Sequence, residues 1–418
     1  MRSRTFRRLA LWGATALVMV LLPLVFRQGF ALSMLSQMGI AIIFALSYNM
    51  LLGQTGLLSF GHAVYYGLGA YVCAHTLNAI GAGKFHIPVT LLPLVGGLAG
   101  LFFGVTLGYV TTRRAGTPFA MISLGIAEMV AASALMLPGF FGGEGGIATN
   151  RQVGVAWHGL SYGPQIQVYY LIVAWCFLSM IAMFGLTQTP LGRMANAVRD
   201  NPERAKFVGY NPTRVRYLML CLASFFAGIA GGLGTINYEI VTAENVGVAA
   251  SGNVLIMAFV GGVGHFFGPI IGAVLVSFLQ SALSSYTQAW LLYFGLFFVF
   301  MILFAPGGIA SLITAHGAAM RTGLFKRLVP GYAISGLAFL VLVAGLIALV
   351  ELTYQLGEAD ESKQLKLFWL ALEPSKWTSG TLAGLVFVFG LGLFLASLRP
   401  VRAAWQSVNA AMQTRGAA

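Results

Sequence analysis

Charge is what this sequence has least of. Only 8% of its 418 residues are Asp, Glu, Lys or Arg, against roughly 25% in ordinary soluble domains. A water-soluble fold of this length could not cover its surface with so few charges, which excludes a large soluble protein with a greasy core. Carboxylates are scarcest: only Glu128 and Glu144 occur before residue 200. Cysteine is limited to Cys73, Cys176 and Cys221, all in apolar stretches without CxxC spacing, so they read as helix-packing residues rather than as a disulfide or metal set. Catalytic strings are missing too. The nearest approach to a P-loop, Gly81-Ala82-Gly83-Lys84-Phe85, lacks both the spacing and the final hydroxyl. There is no HExxH and no His or carboxylate cluster with metal-ligand spacing. The expectation is a chain that is not an enzyme, holds no metal, and binds no cofactor of its own.

What is present is apolar, at 58% of residues. Apolar segments fall near 9–26, 32–52, 62–80, 88–111, 117–137, 167–186, 217–238, 251–263, 268–285, 289–304, 331–353 and 380–398. About 20 such residues cross the hydrocarbon of a bilayer. The fold class is therefore an all-α polytopic membrane protein with about 10–12 transmembrane segments, some broken or re-entrant. The N-terminal run follows four arginines like a signal peptide, but at about 18 residues it is long enough to cross a bilayer. It reads as a retained first helix, residues 1–31.

The net charge of +13 does not point to nucleic acid, because the basic residues sit in short clusters between apolar runs. Positive-inside bias produces that pattern. With an inside N-terminus and twelve alternating segments, 18 of the 24 basic residues fall inside, and both termini are cytoplasmic. That count needs 251–263 and 268–285 to be a broken or re-entrant pair, split at Val263–Gly268. Outside, KQLKLFWLALE (363–373) reads as a short interfacial helix, with Trp369 and Trp377 as aromatic anchors.

Polar interruptions of the apolar runs carry the functional signal. In NMLLGQTGLLSFGHAVYYGLGAY (49–71), five glycines and several hydroxyls break what should be a span. Close helix packing is one reading. The other is an unwound segment at Gly53, Gly56 and Gly61, whose Gln54, Thr55, Ser59 and His62 line a polar route. For His62 an orienting role fits better than proton carriage. Glu128 falls mid-segment, where a charge is costly, so it is either paired or part of a pathway. Residues 190–216 form the longest charged stretch, with six basic and two acidic residues. It is either a docking loop or a solvated loop held by lipid phosphates.

LLGQTGLLSFGHAVYYGLGAY closely resembles the signature of the permease subunits of ABC importers for branched-chain amino acids and related small amides. Gly192-Arg193-Met-Ala-Asn196-Ala-Val-Arg199-Asp200-Asn201 resembles that family's G-R-x-x-x-A-x-R-[DE]-N stretch. Glu203-Arg204-Ala205-x-x-x-Gly209 resembles its EAA-type loop, with Arg204 departing from the usual alanine. LIMAFVGGVGHFFGPIIGA, carrying Gly261, Gly262, Gly264 and Gly268, resembles its glycine-rich segment, and LFAPGGI resembles the end of its core. These landmarks span about residues 32–310 in order, and the fit is better to the larger, LivM-type member than to LivH.

The resemblance implies an importer permease fold. Its core would be 32–312, with a cytoplasmic coupling loop at 190–216, and 313–418 would be a C-terminal extension with two further transmembrane helices. It implies half of a translocation pathway in a bacterial inner membrane. Expected partners are a second homologous permease, two ATP-binding cassette subunits that consume the ATP, a periplasmic or extracellular solute-binding protein, and membrane lipid. Arg199, Asp200 and Glu203 would pair across the ATPase docking surface, and Gly209 would end the coupling helix. Substrates would be branched-chain amino acids or small relatives such as urea, amides or small carboxylates. The competing expectation is a self-sufficient secondary transporter or channel, which has no reason to carry the charged loop.

Overall fold

The computed structural model describes residues 2–26, 28–153, 161–357, 365–367, 370–372 and 377–416. Nearly all of them are helical. In chain order the helices are α1 (Arg2–Val25), α2 (Gly29–Thr55), α3 (His62–Gly81), α4 (Leu92–Thr111), α5 (Thr117–Met136), α6 (Pro138–Phe141), α7 (Gln165–Gln188) and α8 (Pro190–Asp200). There follow α9 (Pro202–Phe207), α10 (Pro212–Tyr238), α11 (Val248–Gly261), α12 (Gly268–Tyr286), α13 (Trp290–Phe304), α14 (Gly308–Arg321), α15 (Val329–Gly357) and α16 (Trp377–Gly416). Strand β1 (Ile147–Ala148) pairs antiparallel with β2 (Ile240–Val241), and β3 (Leu365–Leu367) with β4 (Leu370–Leu372).

Each of the twelve apolar segments is a helix. Among the described residues, however, eight helices are long and apolar enough to cross a membrane, or nine if one bent pair counts as a span. The apolar part of α1 and the 14-residue α11 are short. Helix α3 has the length but carries two histidines, three tyrosines and an asparagine, and its first ten residues are all buried. The chain is an all-α polytopic membrane protein. The bent pair is α13 and α14, which meet at 46° around Pro306, where a missing N–H and a ring at fixed φ stop the helix. The expected break at Val263–Gly268 is also there, as the turn between α11 and α12.

Two compact units divide the chain: residues 1–282 with 297–311, and residues 283–296 with 312–418. In the first, α10 is the axis, packing most extensively on α4, then on α3 and α2. Its start is fixed locally: Pro212 is the first helical residue, and the Asn211 side chain accepts the Thr213 and Arg214 backbone N–H groups (3.0 and 3.4 Å). Its burial rests on small residues. Helix α4 presents Gly96, Gly100, Gly104 and Gly108 at every fourth position, and these meet Gly228, Ser224 and Leu220 of α10. A Cβ on Gly100 would lie 3.0 Å from the Gly228 Cα, and one on Gly104 2.6 Å from the Ser224 Cβ. Backbones this close collect dispersion and weak hydrogen bonds that bulkier side chains would forbid, which is how helices associate without a hydrophobic driving force.

The second unit is built on the antiparallel pair α15 and α16. Gly345 lies against Phe387 and Gly390 against Leu342, so each helix offers a glycine to the other's backbone. Near the other end of the pair, Tyr332 accepts from Trp405 Nε1 and bonds His316 Nε2, both at 2.8 Å. On the far side, Glu351 accepts from Thr287 (2.9 Å) and Tyr293 (3.0 Å), so this carboxylate inside a span is paired. Where an interfacial helix is expected at 363–373, the described residues are instead the antiparallel strands β3 and β4. Alternation of Leu365, Leu367, Leu370 and Leu372 with Lys366 and Ala371 fits a period of two at least as well as a helical one. Trp369 lies outside the described residues, and Trp377 opens α16.

Candidate functional site

The α2–α3 break is the most enclosed irregular segment of the first unit. Helix α2 ends at Gly56 in the left-handed region (φ +70°), with the Gly56 N–H on Leu52 O (3.1 Å) and the Leu57 N–H on Leu51 O (3.2 Å). Helical structure resumes at His62. Backbone freed inside a bundle must find partners, since each unsatisfied group costs several kcal/mol. Three neighbouring side chains supply them. Ser123 Oγ of α5 accepts the Phe60 N–H (3.0 Å), Ser251 Oγ of α11 accepts the Ala63 N–H (3.0 Å), and Tyr48 of α2 donates to Ser59 O (3.1 Å). Gly61 sits so close to the Ser123 carbonyl that a Cβ there would overlap it.

The expected pathway residues separate into three environments. Thr55 and Ser59 are each 2% exposed, and the Thr55 hydroxyl bonds back to Leu51 O (2.6 Å). His62 is fully buried, with Ser47 Oγ at 2.9 Å from its Nε2 and its ring stacked on Phe44. Gln54 faces the charged loop and accepts from Asn196 Nδ2 (3.0 Å). Glu128 joins none of these. Ala120, Ser123, Ala127, Val130 and Ala134 make the buried seam of α5, and Glu128 stands on the outward face with Met121, Leu124, Met129 and Leu135. No hydrogen bond or ion pair reaches it among the described residues.

The glycines also separate. Gly53 sits 2.8 Å (as Cβ) from the Val263 carbonyl, so the end of α2 lies against the α11–α12 turn. Gly261 packs on Gly268 and Gly272 across that turn, and Gly262, at φ +110°, lies against Gly307 and Ala310. Gly264 has open space around it and is not at a crossing.

The charged loop is a helical elbow. Thr189 caps α8 by accepting the Gly192 N–H (3.3 Å), and Asn201 alone separates α8 from α9, capping α9 by accepting the Arg204 N–H (2.9 Å). Gly209 closes α9 at φ +89°, with its N–H on Lys206 O (2.9 Å) and the Tyr210 N–H on Ala205 O (3.1 Å), a Schellman closure. Asp200 is exposed and takes the Arg199 Nε (2.9 Å), and Glu203 lies in the first turn of α9. Arg199 also donates from its Nη1 to the Gly53 carbonyl. A cleft of about 340 Å³ opens beside α8, lined by Gln188, Pro190, Arg193, Met194 and Tyr210.

Three features of the site are not predicted by the sequence. At the elbow's tip Phe207 is 91% exposed and Val208 68%. An apolar pair inside an otherwise charged loop was the available signal. Asn196 and the hydroxyls of Ser123 and Ser251 had none, because their partners are 63 to 188 residues away in sequence.

A family described as the permease component of the branched-chain amino acid transport system matches residues 30–306. The LivM permease of the high-affinity branched-chain amino acid system of Salmonella typhimurium is 28% identical over 308 residues, covering 69% of this chain and 71% of that protein; the Escherichia coli LivM aligns with the same figures. The guanosine ABC transporter permease NupQ of Bacillus subtilis is 27% identical over 114 residues, covering 27% of this chain and 35% of NupQ. No solved structure matches the chain. The broken α2–α3 segment, the elbow at 190–209 and the glycine turn after α11 all fall inside the matched region, and the chain belongs to the branched-chain amino acid permease family, as a LivM/LivH-type transmembrane subunit of an ABC importer.

Proposed function

We propose that this chain forms one half of a translocation pathway whose other half is a second, homologous permease. The observation that carries the reading is Glu128. A carboxylate halfway along a membrane-spanning helix, on an outward face otherwise made of apolar residues, is costly against lipid by about 2.5–3.5 kcal/mol or more. A facing subunit, with a water-filled path between the two, removes that cost. Two ATP-binding cassette subunits dock on the elbow from the cytoplasm and hydrolyse the ATP. A solute-binding protein delivers substrate from the opposite side. This chain itself catalyses nothing and binds no cofactor.

The exposed Phe207–Val208 tip supports the docking. Apolar side chains left bare beside Arg204 and Lys206 mark a surface for protein rather than water or phosphate. Positive-inside bias, counted over twelve alternating segments, supports an elbow, termini and 321–327 cluster on the cytoplasmic side of a bacterial inner membrane. Branched-chain amino acids are the solutes that the LivM relatives point to, and small amides and carboxylates are the neighbouring class.

The test is co-expression with the ATPases and the second permease, followed by ATP-driven uptake of leucine, isoleucine and valine into proteoliposomes supplied with binding protein. Phe207→Asp is expected to lower ATPase co-purification at least roughly tenfold, since an interface anchor is worth about 2 kcal/mol or more. Full assembly of that variant would remove the elbow from the docking surface. Gly209→Val has room for its side chain but not for its backbone: φ +89° strains an L-residue by about 1–2 kcal/mol, so α9 should fray and ATPase recovery fall severalfold. Unchanged assembly and uptake for this variant would count against a rigid α9.

A further inference from the structure

The sequence alone assigns Arg199 to the surface that meets the ATPase. Its side chain turns the other way. Nη1 donates to the Gly53 carbonyl, Nε is held by Asp200 (2.9 Å), and the stem runs along Gly56, where a Cβ would lie 3.0 Å from Arg199 Cγ. One turn back on α8, Asn196 Nδ2 donates to Gln54 Oε1 at 3.0 Å. Both contacts fall on the last turn of α2. The Gly53 carbonyl is among the final four of that helix, which have no intrahelical partner, and a guanidinium there meets the negative end of the helix dipole.

We infer that Arg199 and Asn196 are positioning residues that clamp the end of α2 to the coupling elbow and carry its displacement into the α2–α3 break. The inference rests on the importer reading above. Its mechanical basis is the short linkage on both sides of the clamp. A single residue, Asn201, joins α8 to α9, so a push on the exposed tip is delivered to α8 with little slack. Beyond the clamp, the break starts at Gly56, whose left-handed backbone permits a hinge. The segment is then tied to α5 through Ser123 and to α11 through Ser251. Ser123 lies five positions before Glu128 on the same helix, so displacement of the break reaches the face on which Glu128 stands. Arg suits this position better than Lys, because one planar group donates to Asp200 and to Gly53 in fixed directions.

The experiment uses the complete complex in proteoliposomes and reads three quantities for Arg199→Ala, Arg199→Lys, Asn196→Ala and Gln54→Ala: ATPase recovered, melting temperature, and solute taken up per ATP hydrolysed. Arg199→Ala is expected to keep its ATPase and its melting temperature while uptake per ATP falls roughly tenfold, the cost of a charge-assisted bond lost from a working step. Arg199→Lys should recover only part of that. Asn196→Ala and Gln54→Ala should each lower the ratio by a similar, smaller factor, and the double variant by no more than either, because both remove one hydrogen bond. Should Arg199→Ala not accumulate, the Asn196 and Gln54 pair carries the test.

Unchanged uptake per ATP in these variants overturns the inference. So does loss of ATPase from Arg199→Ala to the extent seen with Phe207→Asp, which would return Arg199 to the docking surface. Failure of the unaltered complex to bind ATPases or import any solute is a different result, and it overturns the importer reading itself.

Discussion

Gly228→Ala is expected to destabilise the folded permease by about 3 kcal/mol, at the upper end of what one added methyl costs in a packed core. The Gly228 Cβ would overlap the Gly96 carbonyl, 2.9 Å from that carbon and 3.0 Å from the Gly100 Cα. Both obstacles are backbone, so no side chain can rotate away. Relief requires α10 and α4 to separate along the whole glycine face. Because α10 also carries α2 and α3, that separation would loosen the bundle around the break. The control is Gly185→Ala on α7, where nothing lies within 4 Å of the new methyl. There the same substitution should be neutral or stabilising by about 0.5–1 kcal/mol, through the lower backbone entropy of alanine. Thermal unfolding of the detergent-solubilised protein measures both. Equal melting temperatures for the two variants would mean that the α4–α10 crossing is not close-packed in the membrane.

Glu128→Gln should lower solute uptake roughly tenfold while leaving ATPase assembly intact. Glutamine keeps size and hydrogen-bonding capacity but loses the charge, and a hydrogen bond to a charged group is worth about 1.5–3 kcal/mol. If Glu128 faces a wet path between two permeases, that energy acts on a step of solute passage and appears as rate. Glu128→Leu should go further, because it removes the hydrogen-bonding groups together with the only formal charge along α5. The opposite arrangement, with this face against lipid, predicts the reverse: leucine would stabilise the helix and transport would survive. Uptake by Glu128→Gln at the level of the unaltered protein would therefore remove Glu128 from the pathway.

Membrane residence and the helical class were legible without coordinates, because they depend on sums. Scarce charge and long apolar runs exclude water-facing folds whatever the packing, and each of the twelve segments is a helix. Helix ends were legible where their chemistry is local: Asn211-Pro212 starts α10 and Gly209 ends α9 through contacts within five residues. Strands β3 and β4 lie where the sequence predicts a helix, because short apolar runs satisfy both periods and register with a partner strand decides between them.

What tertiary structure alone decided is which way the polar groups face. The glycines and hydroxyls of the 49–71 segment fit both tight packing and a polar route. The fold buries Thr55, Ser59 and His62, and satisfies the break from Ser123 and Ser251. Arg199 reads as a docking residue by its place in a charged loop, yet its guanidinium reaches Gly53. Glu128 reads as either paired or part of a pathway by its place in an apolar run, and the fold stands it on an outward face with no partner among the described residues. Sequence fixes the cost of a polar group in a membrane, since that depends on the group and the medium. Its partner depends on residues up to 188 positions away, and only the packed bundle brings those together.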